Sequence, residues 1–290
     1  MDMSISYTST LMSHEIVQQA LEELPDVFDL QTFNKILSEK IPADLLSIIG
    51  ISSFQKNRIP IQWERKGIDL YTTKAKRVSL PQLLAAWTED RCYLSYATAL
   101  AEHGLSERKK LNAIYLSQDL HIRKKEDRDI DLTAMTRSFS QSPRVSNCCG
   151  VLKTRKFYFI EKKVGSEGIT RKEVTFASCK VALPMTNIER SLLDATISPF
   201  YSGGLQVVLE AYKEAKIDLK RLGSIYASLS LAYPYWQRVG LLLELSGKSD
   251  IAKKWLQAFG KPAYDFYMDH NFVKNWNYDK KWKIFYPPLY

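Results

Sequence analysis

No run of 18 or more apolar residues occurs in this 290-residue chain, which excludes an ordinary transmembrane helix. Its start, MDMSISYTSTLMSHE, has neither a basic opening nor a long apolar stretch, so no secretory signal is read there. Cysteine is scarce. Cys92, Cys148, Cys149 and Cys179 stand at spacings that fit neither a disulfide framework nor a zinc site. Reduced thiols in a cytoplasm are the expectation. Histidine is equally scarce: His14, His103, His121 and His270 are not paired at metal-ligand spacing. G-x-S-x-G, a P-loop and H-E-x-x-H are all missing, as are repeats and low-complexity linkers. The expectation is a chain without metal or cofactor that is not an enzyme.

What is present is an ordinary globular composition, 45% hydrophobic and 25% charged, enough for a sizeable core. Net charge is +9 and unevenly spread. Residues 1–50 carry two lysines against eight acids, whereas residues 51–77 carry seven basic residues against two acids. Residues 106–180 hold 17 basic and nine acidic residues. Such a balance attracts polyanions, and nucleic acid is the commonest of these in a cytoplasm. A solvated lysine-rich surface is the plainer alternative.

Residues 13–23 have the pattern of an amphipathic helix, with Ser13 as cap and Ile16, Val17, Ala20 and Leu21 along one stripe. Residues 29–39 predict a second, capped by Asp29, and a third is expected from Pro42 to Gly50. In IPIQWERKGIDLYTTK (59–74), Ile61 and Trp63 alternate with polar residues before a turn at Lys66–Gly67, and Leu70 follows. That is a β-hairpin signal. Short helices followed by a hairpin give the order of a winged helix-turn-helix. In such a domain Lys56, Arg58, Arg65 and Lys66 meet phosphates, Lys74, Lys76 and Arg77 flank them, and Lys35 and Lys40 approach the bases of double-stranded DNA. A helical protein-binding cap competes with this reading, because the first two helices are acidic.

Further on, residues 79–88 predict a helix with Ser79 as cap, and 92–103 another ended by Gly104. Strands are expected at 111–117, 157–163 and 173–183, with an irregular basic stretch at 121–150. Helical segments follow at 186–196, 203–215, 218–229, 234–246 and 249–259. The predicted fold class is α+β. A winged-helix-like unit spans 1–78, and a larger mixed unit spans 79–290, with a small sheet and a C-terminal helical half.

The segment TNIERSLLDATISPFYSGGLQVVLEAY (186–212) reads as helix punctuation. Thr186 and Glu189 form T-x-x-E, a capping box. Arg190 and Asp194 stand four apart and can pair across one turn. Pro199 stops the helix, Ser202 is placed to cap the next, and Gly203–Gly204 permits close backbone approach.

This segment also resembles the "ERTLLDxxxxPxxxGGxxE" stretch of the AbiEi family, through Glu189, Arg190, Leu193, Asp194, Gly203 and Gly204. YLSYATALAEHGLSE (93–107) is similar to the family's "YISxxSALxxHGL" through Ser95, Leu100, His103 and Gly104. YWQRVGLLLELSG (235–247) is similar to "xxRLGYLLExxG" through Arg238, Gly240 and Glu244. The three stand in order within roughly residues 80–250. The wing ending "GxxRGVY" is only approximated by GIDLYTTK. The resemblance implies an antitoxin and transcriptional regulator of a bacterial type IV toxin–antitoxin, phage-abortive-infection system. Such a protein binds inverted repeats in its own promoter, as a monomer or weak dimer. It opposes a nucleotidyltransferase-like toxin without requiring a stable complex.

Three features stay outside that reading. Arg123, Lys124, Lys125, Arg128, Arg155, Lys156, Lys162 and Lys163 form a second basic set, suited to a wider DNA footprint or to RNA or a nucleotide. Glu161 and Lys163 make a Glu-x-Lys at a strand end, as in metal-dependent nucleases, with Asp119 or Asp131 as the second acid. The aromatic tail (Phe272, Trp276, Tyr278, Trp282, Phe285, Tyr286) fits either a protein interface or packing onto the C-terminal helices.

Overall fold

The computed structural model describes residues 15–41, 57–64, 67–73, 78–88, 92–107, 113–119, 130–162, 165, 167–176, 179–229 and 231–289. The fold is α+β. It begins with helix α1 (15–22), strand β1 (Val27–Asp29) and helix α2 (Leu30–Lys40). Asp29 caps α2 by accepting from the Thr32 amide at 2.8 Å. The expected third helix at 42–50 lies outside the described residues. Strands β2 (Gln62–Trp63) and β3 (Leu70–Thr72) follow.

The expected hairpin over 59–74 is corrected. β3 pairs antiparallel with β1; from the preceding segment Arg58 bridges to Tyr71 and the Ile59 amide donates to the Leu70 carbonyl. β2 instead pairs antiparallel with β6 (Cys149–Leu152), setting Trp63 opposite Gly150. The indole explains the choice. A Cβ at Gly67 or Gly150 would fall 1.9 or 2.5 Å from the Trp63 ring. The glycine read as a turn residue therefore makes room for an indole, which also packs against Trp87 and Phe159.

Helix α3 (Leu80–Thr88) starts where expected, with Gln82 Oε1 accepting from the Ser79 amide. The helix expected over 92–103 begins later. Tyr93–Leu94 is strand β4, and α4 runs Tyr96–Glu102. Gly104, at φ +74°, ends it as predicted, with the Leu105 amide returning to the Leu100 carbonyl. β5 is Ala113–Asp119, and the stretch expected to be irregular contains helix α5 (Leu132–Phe139). β7 is Arg155–Lys162. The single strand expected over 173–183 is a hairpin of β8 (Ile169–Phe176) and β9 (Cys179–Thr186).

Among the described residues the expected small sheet is thus one of seven strands, in the order β2-β6-β7-β5-β4-β9-β8. β5 and β7 run parallel, as do β4 and β9. Alternation along β7 gives the sheet two apolar faces. Phe157 and Phe159 point to α3, where Trp87 meets both rings edge-on. Tyr158 and Ile160 point the other way, toward Tyr96 and Tyr201.

The helical half covers this second face. It comprises α6 (Ile188–Ile197), a 3-10 turn (Pro199–Ser202), α7 (Leu205–Glu214), α8 (Leu219–Ser228), α9 (Tyr235–Leu245) and α10 (Ser249–Phe259). These match the periodic segments. The aromatic tail packs back on them, forming a three-stranded sheet from β10 (Phe266–Tyr267), β11 (Asn277–Asp279) and β12 (Ile284–Tyr286). Trp282 is fully buried in the same core as α9. No helix among the described residues is long and apolar enough to cross a membrane.

Candidate nucleic-acid interface and the polar frame beneath it

Of the nine residues expected to meet DNA, Lys35, Lys40 and Arg58 are described. The other six (Lys56, Arg65, Lys66, Lys74, Lys76 and Arg77) lie outside the described residues. Lys35 is exposed on α2. Lys40 is paired with Glu23, and Arg58 with Asp69 at 2.5 Å. The hydrogen bond and charge of Asp69 raise the Arg58 pKa. Both pairs are exposed, so a phosphate can compete for the cations, but each is half-neutralised before it does.

The second basic set divides. Arg123, Lys124, Lys125, Arg128 and Lys163 lie outside the described residues. Arg155 is exposed, and Lys156 pairs with Glu64 at 2.6 Å, a hydrogen bond that raises its pKa. Lys162 is buried and bonds Asp194 at 2.6 Å, so it cannot reach a phosphate. Strand alternation is the reason: Lys162 follows Tyr158 and Ile160 inward, and Glu161 points out. The Glu-x-Lys pattern gains no second acid from Asp131, whose carboxylate caps α5 at the Thr133 and Ala134 amides. No group of three metal-ligating side chains occurs among the described residues.

The residues shared with the family motifs sit mostly in the interior. Asp194 receives Lys162 on one oxygen and Arg190 Nε on the other, at 3.0 Å. Burial pushes its pKa up, but Lys162 and Arg190 outweigh that and hold the carboxyl below its ordinary value. Arg190, fully buried, also donates to the carbonyls of Gly165 and Glu167 at 2.7 and 2.6 Å. It thereby ties the turn before β8 to α6. The Lys162 ammonium lies 4.3 Å from the Tyr96 ring centre.

The capping box is corrected. Asn187 caps α6 by accepting from the Arg190 amide. Thr186 instead shares a hydrogen bond with Ser191, and Glu189 accepts from the Asp218 amide at 3.0 Å at the start of α8. Asn187 outcompetes Thr186 because it is one residue nearer the first turn. Ser202 is likewise no cap; Gly204 holds that position at φ +95°, a conformation that strains other residues.

His103 bridges two strands. Its Nε2 donates to the Thr186 carbonyl at 2.7 Å, leaving Nδ1 to accept from Lys172 at 3.2 Å. Burial lowers its pKa. Ser95 meets Ser117 at 2.6 Å, and Leu100 and Leu193 are core residues. Arg238 is wholly buried, donating to the carbonyls of Tyr267 and Thr196. Its guanidinium lies 4.9 Å from each of the ring centres of Phe139, Tyr235 and Phe266. Gly240 lets Trp282 lie against α9, since a Cβ there would be 2.1 Å from the indole. Glu244 accepts from that indole nitrogen and from Lys281. Apart from the Arg190–Asp194 spacing and the local Asn187–Arg190 and Thr186–Ser191 bonds, these couplings join residues far apart in sequence, so periodicity did not mark them.

No family model matches the chain, and no curated protein matches it. Among solved structures the chain is similar to the RV2827C protein of Mycobacterium tuberculosis, at a TM-score of 0.51 and 13% identity. The likeness covers 96% of this chain and 91% of the other, and it is one of fold.

Proposed function

We propose that the chain is a DNA-binding antitoxin that represses its own operon and counters a nucleotidyltransferase-like toxin. The observation that carries the DNA reading is the order of the first elements. β1 lies between two helices, pairs with β3, and β3 is bridged on its other edge by Arg58. Helix, strand, helix, then a strand that returns to β1 and is bridged on its other edge resembles the strand pattern at the base of a winged helix, whose wing and recognition helix meet DNA. Seven basic residues against two acids in 51–77 place cations on that part of the chain. The antitoxin reading is supported by the three motifs, whose residues frame the helical half and the centre of the large sheet.

A second reading has its own support. Lys40 and Arg58 are paired with acids, and residues 1–50 are acidic overall, which suits a protein contact better than a phosphate backbone. A mobility shift on DNA from upstream of the gene separates the two. Specific shifting should weaken in Arg65→Ala/Lys66→Ala, with a log–log salt slope of about −5 for six phosphates. No shift, or a shift indifferent to sequence, would move the first unit to protein binding. Co-expression with a toxin gene from the same operon tests the antitoxin half separately.

A further inference from the structure

Where α5, the 140–144 segment and the turn at 270 meet, the surface is hollowed into a cleft of about 540 Å³. Clefts of this order hold small ligands. Arg137 and Arg144 line it, exposed, and neither pairs with a carboxylate among the described residues. No lining residue is acidic. Ser138, Ser142 and Ser198 also line it, the Ser142 hydroxyl donating to Asn271 Oδ1, and Phe200 contributes an aromatic ring that packs against Tyr201.

Cations at the end of a helix often serve its free carbonyls. Here three of those carbonyls have other donors. The Ser140 amide and hydroxyl both reach the Thr136 carbonyl. The Phe272 amide donates to Phe139, and the Asn271 amide to Gln141. His270 Nδ1 lies 3.1 Å from the Ser138 carbonyl and 3.2 Å from that of Gln141, so Nδ1 carries the proton and Nε2 is the ring's remaining polar edge. The neighbouring carboxylate, Asp269, accepts from the His270 amide. The two guanidinium groups thus have no described internal acceptor, while the Thr136, Ser138 and Phe139 carbonyls behind them are satisfied. Paired guanidinium forks match phosphate oxygens, and an aromatic ring beside them matches a base.

We propose that this cleft binds a nucleoside phosphate, either free or as the end of a strand. Arg137 and Arg144 hold the phosphate, and Phe200 carries the base. The proposal does not rest on the repressor reading, whose test uses other residues.

Equilibrium dialysis of the full chain tests it. The probes are ATP, GTP, CTP, UTP, inorganic phosphate, and a short single-stranded oligonucleotide with a 5′-phosphate or a 5′-hydroxyl. Saturable binding of at least one nucleoside phosphate is expected, weakened about tenfold in Arg137→Ala and in Arg144→Ala. Phe200→Leu should weaken nucleotide binding and leave inorganic phosphate binding unchanged. Preference for the 5′-phosphorylated strand identifies a strand end; preference for a mononucleotide identifies a free ligand. Both arginines are exposed, so unchanged thermal unfolding of the variants is expected and checks that they fold. Absence of saturable binding at millimolar probe overturns the proposal, as does binding that both arginine variants retain. Equal affinity for inorganic phosphate and nucleotides, indifferent to Phe200, overturns the nucleotide assignment.

Discussion

At the scale of single residues, Asp194 joins two buried cations from different elements. Its carboxylate bonds both Lys162 and Arg190, and all three are buried. Replacing it by Asn would remove the carboxylate charge that these two interior cations share, and a loss of about 3–5 kcal/mol is expected in urea unfolding. The sign of its pH effect follows from its depressed pKa. The stability it contributes is complete above the unfolded carboxyl value, near 3.9, and is lost as pH falls through the folded one. His103 acts in the same direction at higher pH. Its folded pKa lies below the ordinary 6.5, so stability falls from about 6.5 downward until the folded value is passed. His103→Gln should flatten that limb while Asp194→Asn flattens the more acidic one. Unfolding free energies from pH 3 to 8 distinguish them, and identical profiles in all three proteins would contradict both assignments. Gly240→Ala tests packing alone. Its methyl would meet the Trp282 ring, and overpacking of this kind costs about 1–3 kcal/mol. Faster proteolysis of the segment after Phe259 is the expected readout.

Trp63 governs an element. Its two-residue strand has little ladder of its own, and the indole is held by Trp87, Phe159 and the bare backbones of Gly67 and Gly150. Trp63→Ala should cost about 3 kcal/mol and speed amide exchange along β6, the strand it covers. Unchanged β6 exchange would mean that β2 holds its place without the ring. The same strand shows why some elements were legible and others not. The helices from α6 to α10 announce themselves through a 3.6-residue stripe and sharp stops. β2 was visible as alternation, but its partner lies almost ninety positions away, and alternation does not name a partner. β4 merges with the apolar start of α4. The β8–β9 hairpin was hidden because the residues between its strands are Ala and Ser, with no Gly, Asn or Pro. At the candidate site, charge marked which residues were basic. Only the fold distinguished Lys162, spent inside, from Arg137 and Arg144, left outside.

The question at the scale of the whole molecule is whether residues before and after position 78 behave as separate bodies. Charge and motif distribution suggested a division there. The apolar core crosses it: Val27, Ile59 and Leu70 share one cluster with Leu83, Leu84, Trp87 and the inner face of the large sheet. Gln82 Nε2 also donates to Asp26 across the same position, and β2 sits on the sheet's edge. A unit that reads DNA on a flexible tether would share neither a sheet nor a core with its partner. Removing residues 1–78 would expose one face of α3 and free the edge of β6, which invites association between copies. The expectation is therefore a single calorimetric transition for the full chain, with calorimetric and van't Hoff enthalpies in agreement. The fragment starting at Ser79 should melt lower and self-associate. Two resolved transitions, with the fragment reproducing the upper one, would show instead that the division by charge is also a division of stability. The first outcome would mean that the N-terminal residues, the sheet carrying Lys162 and the helical half joined to it through Asp194 unfold as one cooperative unit.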